Sequence, residues 1–414
     1  MIIIQHVNDD PLPRALDAAL TRAVRTMPVV VVSGARQTGK STLVRDLVSA
    51  TDRLYLTLDD MDVFEQATRA PSDLVGRAKK MTLDEVQRAP DLLLAVKRAV
   101  DARRQKGRFV LTGSANLLLM RTVSETLAGR ASYLTLWPMT RREQLGLGRM
   151  GIWNELLGAK DDEWDDVIAS HDAKPEDWKQ LALRGGYPTP ALDLVTAAER
   201  ATWFAGYART YLERDLQEIA SISALPDFRR LMRATCLRLG QLMNQTELGR
   251  DVAMPQPTVH RYMNLLETSY QLVRVPAYSV NRTRRLIKTP KTYWCDTGLA
   301  LHLAGLDEPS GAHLENLILI DLLSWKESRT EATDVFYWRT AAGEEVDLVI
   351  ETGGKLIPIE IKSTANPRQV DAKHLRTFRD EYGRQCRTAL LLHTGDRVEW
   401  LAPGILAVPW WRII

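Results

Sequence analysis

The segment Gly34-Ala35-Arg36-Gln37-Thr38-Gly39-Lys40-Ser41 has the form G-x-x-x-x-G-K-[ST]. It follows the apolar run Pro28-Val29-Val30-Val31-Val32 and precedes a helical stretch from Thr42 to Val48. This is the most constraining feature of the chain, because the pattern has meaning only between a buried strand and a helix. In that setting the turn's amides converge on one point. The helix N-terminus adds roughly half a positive charge there. The loop from Gly34 through Thr42 is therefore expected to cradle nucleotide phosphates. Lys40 is expected to reach the β- and γ-phosphates, and Ser41 to offer its hydroxyl to Mg²⁺.

The surrounding pattern supports this. Leu54-Tyr55-Leu56-Thr57-Leu58, Lys80-Met81-Thr82-Leu83 and Arg108-Phe109-Val110-Leu111-Thr112 are further short apolar runs. They are almost continuous, as strands covered on both faces should be, and the stretches between them are long enough for crossover helices. The expectation is an α/β domain with a parallel sheet. A chain of 414 residues exceeds the size of one compact core, so several domains are expected.

Met81-Thr82-Leu83-Asp84-Glu85 ends a strand in two carboxylates. Asp84 is expected to hold Mg²⁺, directly or through water, and Glu85 to polarise the attacking water as general base. Leu111-Thr112-Gly113-Ser114 closes another strand in hydroxyls, so Ser114 or Thr112 is a candidate γ-phosphate sensor. Gly129-Arg130 offers Arg130 as an arginine that stabilises γ-phosphate charge, in cis or across a subunit interface. The second option would require a ring or dimer.

These residues give the first part, to about residue 140, a specific resemblance. The GARQTGKST loop, the LDEVQ element, the LTGS strand end and the Gly129-Arg130 pair resemble an AAA+-type ATPase of the archaeal-ATPase group. The resemblance implies ATP and Mg²⁺ as cofactors. It continues through Gly185-Gly186-Tyr187-Pro188, Tyr211-Leu212-Glu213-Arg214-Asp215, Glu345-Val346-Asp347 and Ile359-Glu360-Ile361-Lys362. Those stretches are similar to prokaryotic ATPases that carry an additional C-terminal domain.

Residues 148–225 are helical and charge-rich. In residues 226–292, Asn244 to Val252 reads as a capped helix and Met254-Pro255-Gln256-Pro257 as a turn. Thr258 to Leu266 reads as a second helix, with Gln256, Thr258, His260, Arg261 and Asn264 as candidates to face a groove. Val273 to Val280 and Arg285 to Thr292 are expected to pair as a wing. The loop between carries Arg282, Arg284, Arg285, Lys288 and Lys291 without an intervening acid, which suits phosphate contacts with strong salt dependence. DNA is the expected partner. A protein partner is the alternative, because winged helices also serve protein–protein contacts.

In residues 293–414, Asp347 and Glu360 sit in apolar runs joined by a Gly353-Gly354 turn. A hairpin would bring them side by side. Glu360 and Lys362 are two apart and share a strand face. Charges on such strands are expensive without a reason, and a divalent ion supplies one. This resembles the PD-(D/E)xK nuclease core, with Val346 in place of the usual proline before Asp347. The resemblance implies Mg²⁺ or Mn²⁺ on Asp347 and Glu360, with Glu315 as a further ligand. Lys362 would orient or help deprotonate water.

Four units are thus expected: an ATPase domain (1–147), a helical connector (148–225), a winged-helix module (226–292) and a nuclease-like α/β domain (293–414). The net charge of +3 excludes a uniformly basic nucleic-acid wrapper. Three dispersed cysteines exclude a disulfide framework or cysteine-built zinc site. With no long apolar run and no basic, apolar N-terminal leader, a cytoplasmic, membrane-free protein is expected. The expected function is ATP hydrolysis coupled to DNA binding or processing. The alternative is a regulatory or assembly ATPase whose C-terminal half binds protein or DNA without cleavage.

Overall fold

The structure is a computed structural model that describes residues 12–49, 52–113, 126–210, 225–281, 283, 285 and 288–414. Val29–Ser33 forms β1. It lies in a five-stranded parallel sheet with Leu54–Thr57 (β2), Met81–Asp84 (β3), Phe109–Thr112 (β4) and Ala131–Thr135 (β5), in the order β2-β3-β4-β1-β5. The four valines of β1 divide between two cores, as a strand period of two requires. Val29 and Val31 pack with Leu83, Leu92 and Val96. Val30 and Val32 face Leu16, Leu20, Leu43 and Val44. The strand is buried throughout, so only its C-terminal end is available for chemistry. The ends of β1, β3 and β4 lie side by side.

Among the described residues, the connecting region is built of helices, the first Trp153–Gly158 and the last Gln256–Thr268. Leu272–Val275 (β6) and Lys291–Trp294 (β7) then pair antiparallel. The border expected at residue 292 thus falls inside β7. The acidic segment at 161–166 is anchored rather than free, because Asp161 accepts from Arg387 and Thr388 and Trp164 is buried.

The last part is a six-stranded mixed sheet ordered β12-β13-β11-β10-β9-β8. Its strands are Thr333–Arg339 (β8), Glu345–Thr352 (β9), Lys355–Lys362 (β10), Ala389–His393 (β11), Glu399–Ala402 (β12) and Ile405–Pro409 (β13). β9 and β10 form the expected hairpin. Gly353 and Gly354 both take positive φ, 55° and 72°, which a two-residue turn matching the strand twist requires.

One face of this sheet does not close on itself. Leu348, Ile350, Ile359 and Leu392 share a core with Trp153, Tyr187, Phe228 and Tyr262 of the helical region. The chain's end completes this core. The Ile152 amide donates to the Ile413 carbonyl at 3.0 Å, and Arg141 donates to the Ile414 oxygen at 2.8 Å while stacking over Trp410. Trp410→Ala is expected to cost about 3–5 kcal/mol of stability. A lowered midpoint in chemical denaturation would check this.

Candidate functional site

The turn after β1 has the shape expected of a phosphate cradle. Gly34 takes φ 144°, and a Cβ there would lie 2.3 Å from the Leu136 carbonyl oxygen. Gln37 and Gly39 also have positive φ, at 62° and 92°. The Thr38 hydroxyl donates back to the Ala35 carbonyl at 3.0 Å and holds the loop closed. Lys40 starts the next helix (Lys40–Ser49), with Ser41 and Thr42 in its first turn. The Lys40 ammonium curls over the loop and donates to Ala35 at 2.7 Å and Gly34 at 3.2 Å. Burial pushes its pKa down to about 8, against the pull of Glu85 and Asp84.

Asp84 ends β3 and is buried. One carboxylate oxygen accepts from the Tyr55 hydroxyl at 2.5 Å. The other accepts from the Thr112 hydroxyl and the Glu85 amide. Thr112 therefore orients Asp84, and Ser114, the other sensor candidate, lies outside the described residues. Glu85 adopts left-handed backbone angles (φ 57°, ψ 41°), and the Gln87 amide donates to its carboxylate. Such strain in a non-glycine residue persists only where the surroundings enforce it, and it clusters at working sites.

Arg130 does not join this group. It precedes β5, and β5 runs parallel to β1, so Arg130 lies at the opposite end of the sheet from the loop. The length of β5 alone separates them by about 15 Å. Its guanidinium instead makes a two-pronged pair with Asp101, at 2.5 and 3.0 Å. The cis role expected of Arg130 is therefore corrected by strand direction.

Two residues that carry no motif brace the loop. Arg14 donates to the Thr38 carbonyl at 2.8 Å, the Trp137 carbonyl at 2.9 Å and the Glu143 carboxylate at 3.0 Å. Tyr207, from the helix Ala197–Thr210, donates to the Arg36 carbonyl at 3.4 Å. A cleft of about 250 Å³ lies between that helix and Arg36 and Gln37. No sequence signal marks these contacts, because they link residues far apart in the chain.

In the C-terminal sheet, Asp347 and Glu360 do lie together, and the Ile361 amide donates to Asp347 at 2.8 Å. Lys362 pairs with Glu360 at 2.6 Å. Glu315 reaches the same place from the helix Gly311–Ser328. A residue expected elsewhere also arrives here. The ammonium of Lys291 lies 2.6 Å from Glu345, 3.1 Å from Glu315 and 3.6 Å from Asp347. Burial pushes the Glu315 carboxyl up to about 8, and burial together with Asp347 raises that of Glu360. One Glu360 oxygen is buried without a hydrogen-bond partner. Among the described residues, no group of three or more His, Cys, Asp or Glu is arranged to hold a metal ion. The Lys291 ammonium stands between Glu315 and Asp347 of the expected ligand set.

The basic hairpin also differs from expectation. Lys291 is buried. Arg285 is held by Glu351 at 2.6 and 3.1 Å and packs over Tyr278 and Phe336, so neither offers a free cation. Arg282 and Arg284 lie outside the described residues. Arg261 and Lys288 are exposed.

Comparison with known proteins places a family model over the nucleotide site. The family described as "AAA domain" matches residues 26–145. Two families described as domains of unknown function match residues 175–310 and 310–413. An uncharacterized protein of Mycobacterium tuberculosis is 31% identical over 363 residues, which is 84% of this chain and 74% of that protein. The chain belongs to that protein's family. Residues 26–145 are its P-loop, AAA-type ATPase domain. An uncharacterized protein of Haemophilus influenzae is 21% identical, covering 86% of this chain and 87% of its own length. A Walker-type ATPase of Pyrococcus abyssi has a similar solved structure, with 14% identity and a TM-score of 0.44. The match covers 72% of this chain and 97% of that one. Among the described residues, no helix is long and apolar enough to cross a membrane.

Two outcomes follow from the site. Gly34→Ala is expected to abolish nucleotide binding, because its new methyl would collide with Leu136; equilibrium binding of a fluorescent ATP analogue checks this. Lys40→Ala is expected to abolish ATP turnover, measured as phosphate release.

Proposed function

We propose that this chain is a Mg²⁺-dependent ATPase whose C-terminal half binds DNA and is moved by the nucleotide cycle. The carrying observation is the meeting of Lys40, Asp84 and Glu85 at the C-terminal edge of one parallel sheet. A hydroxyl and a carboxylate are hard oxygen donors, so Ser41 and Asp84 fit Mg²⁺. Bound there, the ion would neutralise charge on the transferring phosphoryl group. The chain's own groups do the rest. The loop amides and Lys40 hold the phosphates, Asp84 is kept in place by Tyr55 and Thr112, and Glu85 takes a proton from the attacking water. Glu85→Gln is expected to leave ATP binding intact and slow turnover by about 10²–10⁴-fold. Single-turnover hydrolysis beside a binding titration separates the two effects.

Support for the DNA reading comes from the helical region. Helix Gln245–Asp251, a turn, helix Gln256–Thr268 and the β6–β7 pair have the outline of a winged helix. Gln256, His260 and Arg261 lie on the exposed face of the second helix. The C-terminal sheet, with Asp347, Glu360 and Lys362 together, supports a PD-(D/E)xK nuclease-like architecture. The Lys291 ammonium among those carboxylates favours binding without cleavage. Arg130 remains a residue for a ring or dimer, where it would act on a neighbouring copy's nucleotide once freed from Asp101. Exchange of Arg261 and Lys288 for Glu is expected to weaken duplex binding across sequences and flatten its salt dependence. Fluorescence anisotropy at several salt concentrations tests this. ATPase rates that duplex, single-stranded and branched DNA all leave unchanged would overturn the coupling.

A further inference from the structure

The carboxylate cluster of the C-terminal sheet is a built site with an unusual occupant. Lys291 belongs to β7, outside the six-stranded sheet, yet its side chain is delivered to the β9–β10 hairpin by a rigid register. Asn316, fully buried on the helix Gly311–Ser328, accepts from the Trp294 amide at 2.9 Å and donates to the Trp294 carbonyl at 2.8 Å. That paired contact locks β7 against the helix that carries Glu315. Three residues earlier on β7, Lys291 then meets Glu315, Glu345 and Asp347. On the same strand, the Tyr293 hydroxyl donates to Glu315.

An ammonium has three donors and no acceptor, and here three carboxylates surround it. Burial opposes its charge. Carboxylate oxygens of Glu345, Glu315 and Asp347 at 2.6, 3.1 and 3.6 Å compensate that burial. The remaining carboxylate, Glu360, has its own cation in Lys362, and Glu345 has a second one in Arg339 at 3.1 Å. A divalent ion at this position would have to share the carboxylates of Asp347 and Glu315 with a fixed positive charge.

We propose that Lys291 is the resident cation of this cluster, filling the place of a divalent metal. On this proposal the C-terminal domain engages its partner without metal-dependent phosphodiester cleavage. The proposal deepens the nuclease-like reading of β9 and β10 and is independent of the ATPase assignment. Removing Lys291 should uncover a latent oxygen-ligand site, because Glu315 and Asp347 would lose their counter-ion and, with Glu360 beside them, attract a hard divalent ion.

The test uses the full chain without nucleotide and Mn²⁺ alone as the probe, followed by electron paramagnetic resonance of free Mn²⁺ and by thermal unfolding. Wild type is expected to show no Mn²⁺ binding that Asp347→Asn removes. Lys291→Ala is expected to bind Mn²⁺ at least about tenfold more tightly than wild type, and to lose this gain when combined with Asp347→Asn. If Lys291→Ala is recovered unfolded, refolding that depends on Mn²⁺ is the supporting readout. Wild-type binding that depends on Asp347 would overturn the proposal. So would a Lys291→Ala chain that gains neither Mn²⁺ affinity nor Mn²⁺-dependent folding. Nicking of supercoiled plasmid by wild type with Mn²⁺, lost in Asp347→Asn, would overturn it too. None of these readouts involves ATP, so they stand apart from any failure of ATP turnover.

Discussion

A single buried carboxylate joins the parts of this molecule that matter most. Glu143 is 2% exposed and accepts from the Arg14 guanidinium, the Ala15 amide and the Thr140 amide. A carboxylate so far from water is tolerated only when its oxygens are satisfied, and removing one partner of such a pair typically costs about 3–5 kcal/mol. Through Arg14 the same group reaches Thr38 in the phosphate loop. Its chain neighbours Arg141 and Arg142 grip the carbonyls of Trp411 to Ile414 at the end of the chain. The phosphate loop and the end of the C-terminal domain are therefore held by consecutive residues of one short helical turn.

A second tie runs on the other side of the loop. Tyr207 touches the Arg36 carbonyl, receives hydrogen bonds from Tyr187 and Gln271, and stacks on Trp203. Tyr187 in turn contacts Cys295, whose neighbour Asp296 accepts from the Gly186 amide. The Gly185-Gly186-Tyr187-Pro188 turn thus sits where helical region, loop and C-terminal half converge. Both ties act on backbone carbonyls of the loop, at Thr38 and at Arg36.

The C-terminal half shows how one charge alters the meaning of a constellation. Asp347, Glu360 and Lys362 are the residues on which the sequence resemblance to a metal-dependent nuclease core rests, and the β9–β10 hairpin brings them together. With Lys291 inserted, the cluster's carboxylates are neutralised from within, and Arg285 is likewise spent on Glu351. The positive charge that the hairpin appeared to offer to DNA is in part turned inward.

The sequence by itself determined the parallel sheet, the phosphate loop, Asp84 and Glu85, and the β9–β10 hairpin. Each depends on short-range patterns: continuous apolar strands, glycines where a loop must turn, and a two-residue turn between alternating runs. Only the tertiary structure decided the contacts of Arg14, Glu143, Tyr207 and Lys291, and the end of the sheet that Arg130 occupies. These are contacts between residues separated by up to hundreds of positions, and no local periodicity encodes them. The cis option for Arg130 fails because a Gly-Arg pair reveals neither the direction of the strand after it nor which end of the sheet it occupies. Lys291 was misjudged because a cation in a basic run reads as solvated. Packing β7 against a buried helix instead carried it among the carboxylates of Glu315, Glu345 and Asp347.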